Sequence, residues 1–482
     1  MKPSASVLFS LASGATTERS DFMSAVRRLG GKATDVDMTK GGILGHILKF
    51  AFPLLLGNLF QQMYNTVDTF VVGNYVSSSA FSAVGAVTPI VNMLIGAFSG
   101  LASGAGVVIS RLYGAGQPEK VSKAVHTSMV LTAILSVVFT VIGLALMPVM
   151  LNILGLNTQD RAEATTYLSI YFAGITGLLF YNMGAGILRA VGDSKRPFYY
   201  LVVCAVMNTV LDLLFVIVFS MGVAGVALAT ILSQLVSAVL VTATLLRTES
   251  CVKVKPRALR LHRDMLSQVL IMGVPAALQM AVTAFSNVFV QSYITHFDKG
   301  LPQSIYMPGW TAYIKVDQLL FLPVQSISLA VTTFVGQNMG AKQTKRAKKG
   351  VNVALFLSIS CIVLLMIPVL YFAPLIIGFL IPDKAVVETG TMFLRTLTPF
   401  YVLFAFNQIY ACALRGRGNS VAPMIIMLSS FVGFRQLYLF FMSQICNEII
   451  PIAMAYPAGW LLCSLLTGIV YHISTREKMD NG

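Results

Sequence analysis

Twelve stretches of mostly apolar residues follow one another along the chain, separated by short connectors. A helix that crosses a bilayer needs about 20 such residues. Hydropathy, turn signals and charges predict spans near 46–71, 84–111, 124–150, 165–189, 197–220 and 223–246. A second set follows near 266–294, 311–337, 350–379, 391–414, 421–445 and 452–474. Hydrophobic residues make up 56% of the chain and charged residues 11%, against about 25% charged in a typical soluble domain. That is too little polar surface for a water-soluble protein of 482 residues, and too much apolar content for a disordered chain. The fold class expected is an all-α polytopic membrane protein with twelve transmembrane helices in two pseudo-symmetric six-helix bundles.

The net charge of +15 would suggest nucleic acid, but its placement explains it otherwise. Nineteen basic residues fall in alternate connectors: Arg111, Lys120, Lys123; Arg189, Lys195, Arg196; Arg247, Lys253, Lys255, Arg257, Arg260, Arg263; Lys342, Lys345, Arg346, Lys348, Lys349; and Arg415, Arg417. The intervening connectors hold only Arg161, Lys299 and Lys384. Positive loops stay in the cytoplasm, so that face and both termini are expected there, and no nucleic-acid partner is expected. Of the six Cys, five lie within or at the end of predicted spans and no CxxC occurs, so neither metal nor disulfides are assigned. Residues 1–37 read as a disordered cytoplasmic tail or as sequence upstream of a start at Met38.

The chain repeats itself. LRAVGDSKRP at 188–197 returns as LRGRGNSVAP at 414–423, an offset of 226. The same offset pairs Gly114-Ala115 with Gly340-Ala341, Tyr167-Leu168 with Phe393-Leu394, and Pro148 with Pro374. Near the start of each half, Pro53 and Asn65 match Pro275 and Asn287 at offset 222. This divides the chain into a tail (1–37), an N-lobe (38–246), a basic cytoplasmic linker (247–264), a C-lobe (265–475) and a short cytoplasmic tail (476–482). Six spans per half keep the two copies in one orientation, and the cleft between them suits alternating access.

Polar groups inside spans are expensive and default to functional hypotheses. In the first span Asn58, Gln61, Asn65 and Asp68 share one helical face. They read as an ion or substrate path, or as a hydrogen-bonded seam between helices. Asp68 lies near the outer end, where a merely solvated carboxylate is the alternative. In the fifth span Asn208 and Asp212 stand one turn apart, and in the sixth Thr230 and Gln234 do the same. Two carboxylates with amide and hydroxyl oxygens suit H⁺ or Na⁺. The repeat counterparts of Asp68 and Asp212 are Val290 and Tyr438, which marks the N-lobe as the ion-coupling lobe. In the C-lobe Gln279, Thr283, Asn287 and Gln291 follow at i+4 steps, read as cavity lining or as a seam. Asp317 either meets a cationic substrate or pairs with Arg395 or Arg435, pairing being favoured; Lys315, two residues away, points to another face.

These residues carry a resemblance. PLLLGNLFQQMYNTVDTFVVGNYV at 53–76 resembles the opening helix of the multidrug and toxic compound extrusion (MATE) transporters. MNTVLDLLFV, GVAGVALATILSQ (222–234), GQNMGA (336–341) and the two LR…P motifs extend the similarity over about residues 38–475. The resemblance implies a secondary active transporter of the bacterial inner membrane. It would export cationic or amphipathic organic compounds against H⁺ or Na⁺, without a further cofactor, as a monomer in contact with lipid. It also implies an N-lobe cation site at Asp68, Asn208, Asp212 and Thr230, with Na⁺ at the first three. Members with acids in the seventh and tenth helices differ from this chain, which has none there.

The alternative on a related scaffold is a flippase for lipid-linked saccharides. It would need cationic residues around its cavity, where the candidate positions Gln61, Asn65, Gln234, Gln279, Thr283, Asn287, Gln291 and Asp317 are neutral or acidic. An enzyme is not expected: the five His lie in loops or near span ends, and no HExxH, GxSxG or Walker A motif is present.

Overall fold

The computed structural model describes residues 36–76, 78–154, 156–298, 303–446 and 448–480. Residues 1–35 of the expected tail lie outside the described residues. Twelve helices among the described residues are long and apolar enough to cross a membrane. In the first half they are α1 (Ile43–Gly73), α2 (Ser82–Gly114), α3 (Pro118–Asn152), α4 (Thr158–Ala190), α5 (Lys195–Val218) and α6 (Gly222–Arg247). The second half supplies α7 (Arg263–His296), α8 (Tyr306–Gly340), α9 (Thr344–Tyr371), α10 (Lys384–Gly416), α11 (Val421–Ile445) and α12 (Ile449–Thr475). Hydrocarbon offers no partner to a free N–H or C=O, so these apolar runs satisfy their backbone internally as helices. Exposed side chains such as Phe356, Leu364, Leu375, Phe379 and Ile445 are large and apolar, as a lipid-facing surface requires.

The duplicated decapeptide has a physical meaning. In the first copy Gly192 takes φ +89°, a left-handed turn that glycine enters without a Cβ clash. Asp193 then accepts from the backbone N–H of Lys195 and Arg196, both at 3.1 Å, at the start of α5. In the second copy Gly418 takes φ +88°, and Asn419 accepts from Ala422 N at 3.0 Å, just inside α11. Both copies therefore build one tight helix–turn–capped-helix corner. The repeat is not carried everywhere. Pro148 lies inside α3, whereas its counterpart Pro374 starts a separate short helix, Ala373–Leu380.

Within the first half α4 packs against α2, α3 and α6; within the second, α8 packs against α9 and α10. The halves meet chiefly through α2 on α7 and α8, and α1 on α8. At the α2–α7 crossing a Cβ on Gly104 would overlap the backbone of Gly273, so the helices touch main chain to main chain. Gln337 of α8 donates to Ala190 O of α4 at 3.0 Å and accepts from Met38 N at 2.9 Å. The segment before α1 is thus a strap: Val36 N donates to Val191 O at 3.0 Å, and Arg346 donates to Met38 O and Lys40 O. These contacts lie at or toward the end of the bundle that carries the basic connectors. Farther along, Asn58 donates to Ser326 Oγ at 3.4 Å and Gln62 to Gln318 Oε1 at 3.0 Å.

Candidate functional site

Three side chains come together inside the first half. Asp68 of α1 faces Asn208 and Asp212 of α5. Asn208 and Asp212 are fully buried, because i and i+4 positions share the face of α5 that turns inward. Their polar atoms stay unpaired: Asp68 Oδ1, both Asp212 oxygens, and both amide atoms of Asn208 form no hydrogen bond. The three side chains are close enough to interact, and two facing carboxylates, both acceptors, have no proton of their own to share when ionised. A buried polar atom without a partner is destabilising by roughly 1–3 kcal/mol, so such a cluster is retained for what it can hold. Thr230 of α6 is also buried, and its hydroxyl donates to Val226 O at 3.0 Å.

Two features of this cluster were absent from the sequence reading. Tyr64 and Tyr167 lie close enough to feel the Asp68 charge, and Tyr167 stacks on Tyr171 with ring centroids 6.1 Å apart. The signal available was the tyrosine spacing in the fourth span. The second feature is a π-helical turn, Leu213–Val218, that begins directly after Asp212. Such turns recur at functional sites because they re-aim side chains, and no residue pattern announces this one.

A cavity of about 460 Å³ lies between the halves. Of the expected cavity residues it is lined by Gln61 and Gln234, together with Asn58. Asn65, Gln279, Thr283, Asn287, Gln291 and Asp317 are not in its wall. The α7 row instead takes the seam role. Gln279 bonds to Arg415 and Met427, and Asn287 accepts from Arg435 at 3.0 Å. Thr283 keeps a buried hydroxyl without a partner. The pairing favoured for Asp317 is not formed. Tyr313 donates to Asp317 at 3.4 Å, while Arg395 is exposed. Arg435 bonds to Phe431 O, Ser286 and Asn287 beneath the Tyr456 ring. Arg435 is thus satisfied by neutral acceptors of its own bundle, and aromatic hydroxyls serve Asp317.

The cavity wall also corrects the expected charge. Its charged side chains among the described residues are Arg189 and Arg415, one from each half, and no carboxylate lines it. From the sequence both arginines fall at span ends, in the basic connectors expected on the cytoplasmic face. Only the packed structure brings these two span ends into one cavity wall.

The counterparts of the two acids explain why the site is one-sided. Val290 is buried in the apolar core of the second half, and the Tyr438 hydroxyl donates to Pro451 O at 3.1 Å. The same frame therefore holds an acidic cluster in one half and ordinary packing in the other.

Comparison with known proteins agrees with this architecture. The MatE family model matches residues 53–214 and 275–439, one segment in each half. A probable multidrug resistance protein of Bacillus subtilis, YoeA, is 27% identical over 442 residues, 89% of this chain and 93% of its own. A protein of Shewanella oneidensis named as an FAD transporter is 23% identical, over 89% of this chain and 94% of its own. A solved multidrug-resistance MATE transporter in an outward-facing conformation superimposes with a TM-score of 0.86 at 22% identity, covering 93% of this chain and 99% of that one. With both halves matched by the family model and twelve membrane-crossing helices arranged as in its solved members, the chain belongs to the MATE family of multidrug efflux transporters.

Proposed function

We propose that this protein is an ion-coupled exporter of amphipathic organic compounds, driven by H⁺ or Na⁺ entering through the Asp68–Asn208–Asp212 cluster. The observation that carries the reading is the set of unpaired buried oxygens on α1 and α5. Two adjacent carboxylates away from water need a proton or a cation between them. The protein is read as a carrier in a bacterial inner membrane, with the basic connectors and both termini in the cytoplasm. On that orientation the α2–α7 and α2–α8 contacts close the cytoplasmic side. Ion binding and substrate binding would then favour opposite closures, since a ligand shifts the balance only through its differential affinity for the two states.

The test is Asp212→Asn in cells or vesicles loaded with a fluorescent substrate, with Na⁺ and H⁺ gradients collapsed separately. Gradient-driven efflux should be lost. Efflux that still follows the gradient unchanged overturns the assignment. A lipid-linked saccharide flippase remains the second reading, favoured by the cationic residues Arg189 and Arg415 in the cavity wall. It predicts transbilayer movement of a lipid pyrophosphate without any imposed ion gradient.

A further inference from the structure

The family fold leaves the substrate's charge open, and the cavity wall addresses it. Arg415 is 4% exposed, its Nη2 donates to Gln279 Oε1 and its Nη1 to Cys412 Sγ at 3.6 Å, and its Nε has no partner. Both acceptors are neutral, so the guanidinium charge stays uncompensated. The Arg189 side chain forms no hydrogen bond or ion pair among the described residues; the Tyr181 ring hydroxyl is the neighbour that acts on it. The two acids of the α1–α5 cluster do not line the cavity. A buried charge that lacks a counter-charge is strongly unfavourable, and planar guanidinium groups match the oxygens of phosphate and carboxylate.

We infer that the cavity between the lobes binds an anionic amphiphile whose phosphate or carboxylate is held by Arg189 and Arg415. This rests on the cavity being the transport path. The rest of the wall fits the same ligand. Tyr64 and Phe198 offer ring faces, and Asn182, Gln325 and Gln408 offer amide groups for a polar body. An organic cation would enter a wall bearing two positive charges and no carboxylate. Arg189 and Arg415 are repeat equivalents, 226 residues apart, so each lobe contributes one guanidinium. Rocking the lobes changes the separation of the pair and hence its grip on an oxyanion, which supplies the differential affinity that transport requires.

The experiment uses the full chain in detergent or nanodiscs without an ion gradient. Binding of 4-methylumbelliferyl phosphate is compared with 4-methylumbelliferone, the same ring without the phosphate, and with ethidium. The phosphate ester should bind about tenfold or more tighter than the parent ring, in a salt-sensitive manner. Arg189→Gln and Arg415→Gln should each erase most of that preference, and Arg415→Lys should retain part of it. Equal binding of ester and parent ring, tighter binding of ethidium than of the ester, or a preference that survives both Gln substitutions overturns the inference. Should Arg415→Gln fail to fold, Arg189→Gln carries the test, since Arg189 makes no hydrogen bond that substitution would break. The measurement involves no coupling ion. Absence of an anion preference in the unsubstituted chain, with gradient-dependent efflux intact, rejects this inference alone. Failure of the Asp212→Asn test with the preference intact rejects only the coupling assignment.

Discussion

Asp298 shows how much one carboxylate organises where a connector meets a helix. Its oxygens accept from the backbone N–H of Ile305, Tyr306 and Met307 at 2.8–2.9 Å and from Ser304 Oγ at 2.8 Å, capping the start of α8. Burial pushes this carboxyl up, and the bonds from Met307, Tyr306, Ser304 and Ile305 outweigh it, holding it below the usual range. A carboxyl held low in the folded state stabilises the fold above its unfolded value, near 4. That contribution is lost as pH falls through the folded value. Asp298→Asn should therefore lower stability by about 1 kcal/mol at neutral pH, and the gap to wild type should shrink below about pH 4, as thermal melts across pH would show. If the α1–α5 acidic cluster carries the proposed coupling, its two acids should act as one unit. Asp68→Asn and Asp212→Asn should each abolish gradient-driven efflux, and the double substitution should be no worse than either. Additive partial losses would mean two independent sites.

The elements differ in how openly they declare themselves. The twelve spans were legible because hydrocarbon imposes one solution on a long apolar run. The corner motif was legible as a repeat, since a left-handed glycine followed by a capping Asp or Asn is local chemistry. The α7 polar row was legible as a row but not by its role. A helix face of amides looks the same whether it lines a cavity or meets Arg415 and Arg435, and only packing distinguishes these. The π turn after Asp212 leaves no residue pattern. At the α2–α7 crossing, Gly104→Val would drive its side chain into Gly273. It should part these helices and shift the protein away from the closure seen here. The readout is labelling by a membrane-impermeant thiol reagent at a cysteine placed at Ser103, which lines the cavity. Labelling from the basic-connector side should rise several-fold, and unchanged labelling would show that the contact does not hold the closure.

For the molecule at large, the proposed exchange between two closures requires the lobes to move apart where α1 meets α8. Asn58 and Ser326 touch across that contact at 3.4 Å. In a chain stripped of its six native cysteines, an Asn58→Cys/Ser326→Cys pair should form a disulfide on oxidation. Transport should stop while the bond holds and return on reduction. Undiminished transport by the fully cross-linked protein would mean that this contact is static. The strap at Val36–Lys40 adds a second tie, since it is bonded to Val191 of the first half and to Gln337 and Arg346 of the second.

Local composition is enough to give membrane residence, twelve helices, the duplication, and the acidic residues of α1 and α5. Bilayer hydrophobicity, i to i+4 spacing and loop charge all act over one helix or less, so they can be read along the chain. Packing settles what depends on which helices meet. It placed Asp68 beside Asp212 with no hydrogen bond made, turned the Gln279–Asn287 row into a seam, and left Asp317 to tyrosines rather than an arginine. It also brought Arg189 and Arg415, from span ends 226 residues apart, into one cavity. A charge's meaning is set by its neighbours in three dimensions, and those neighbours come from helices far apart in sequence.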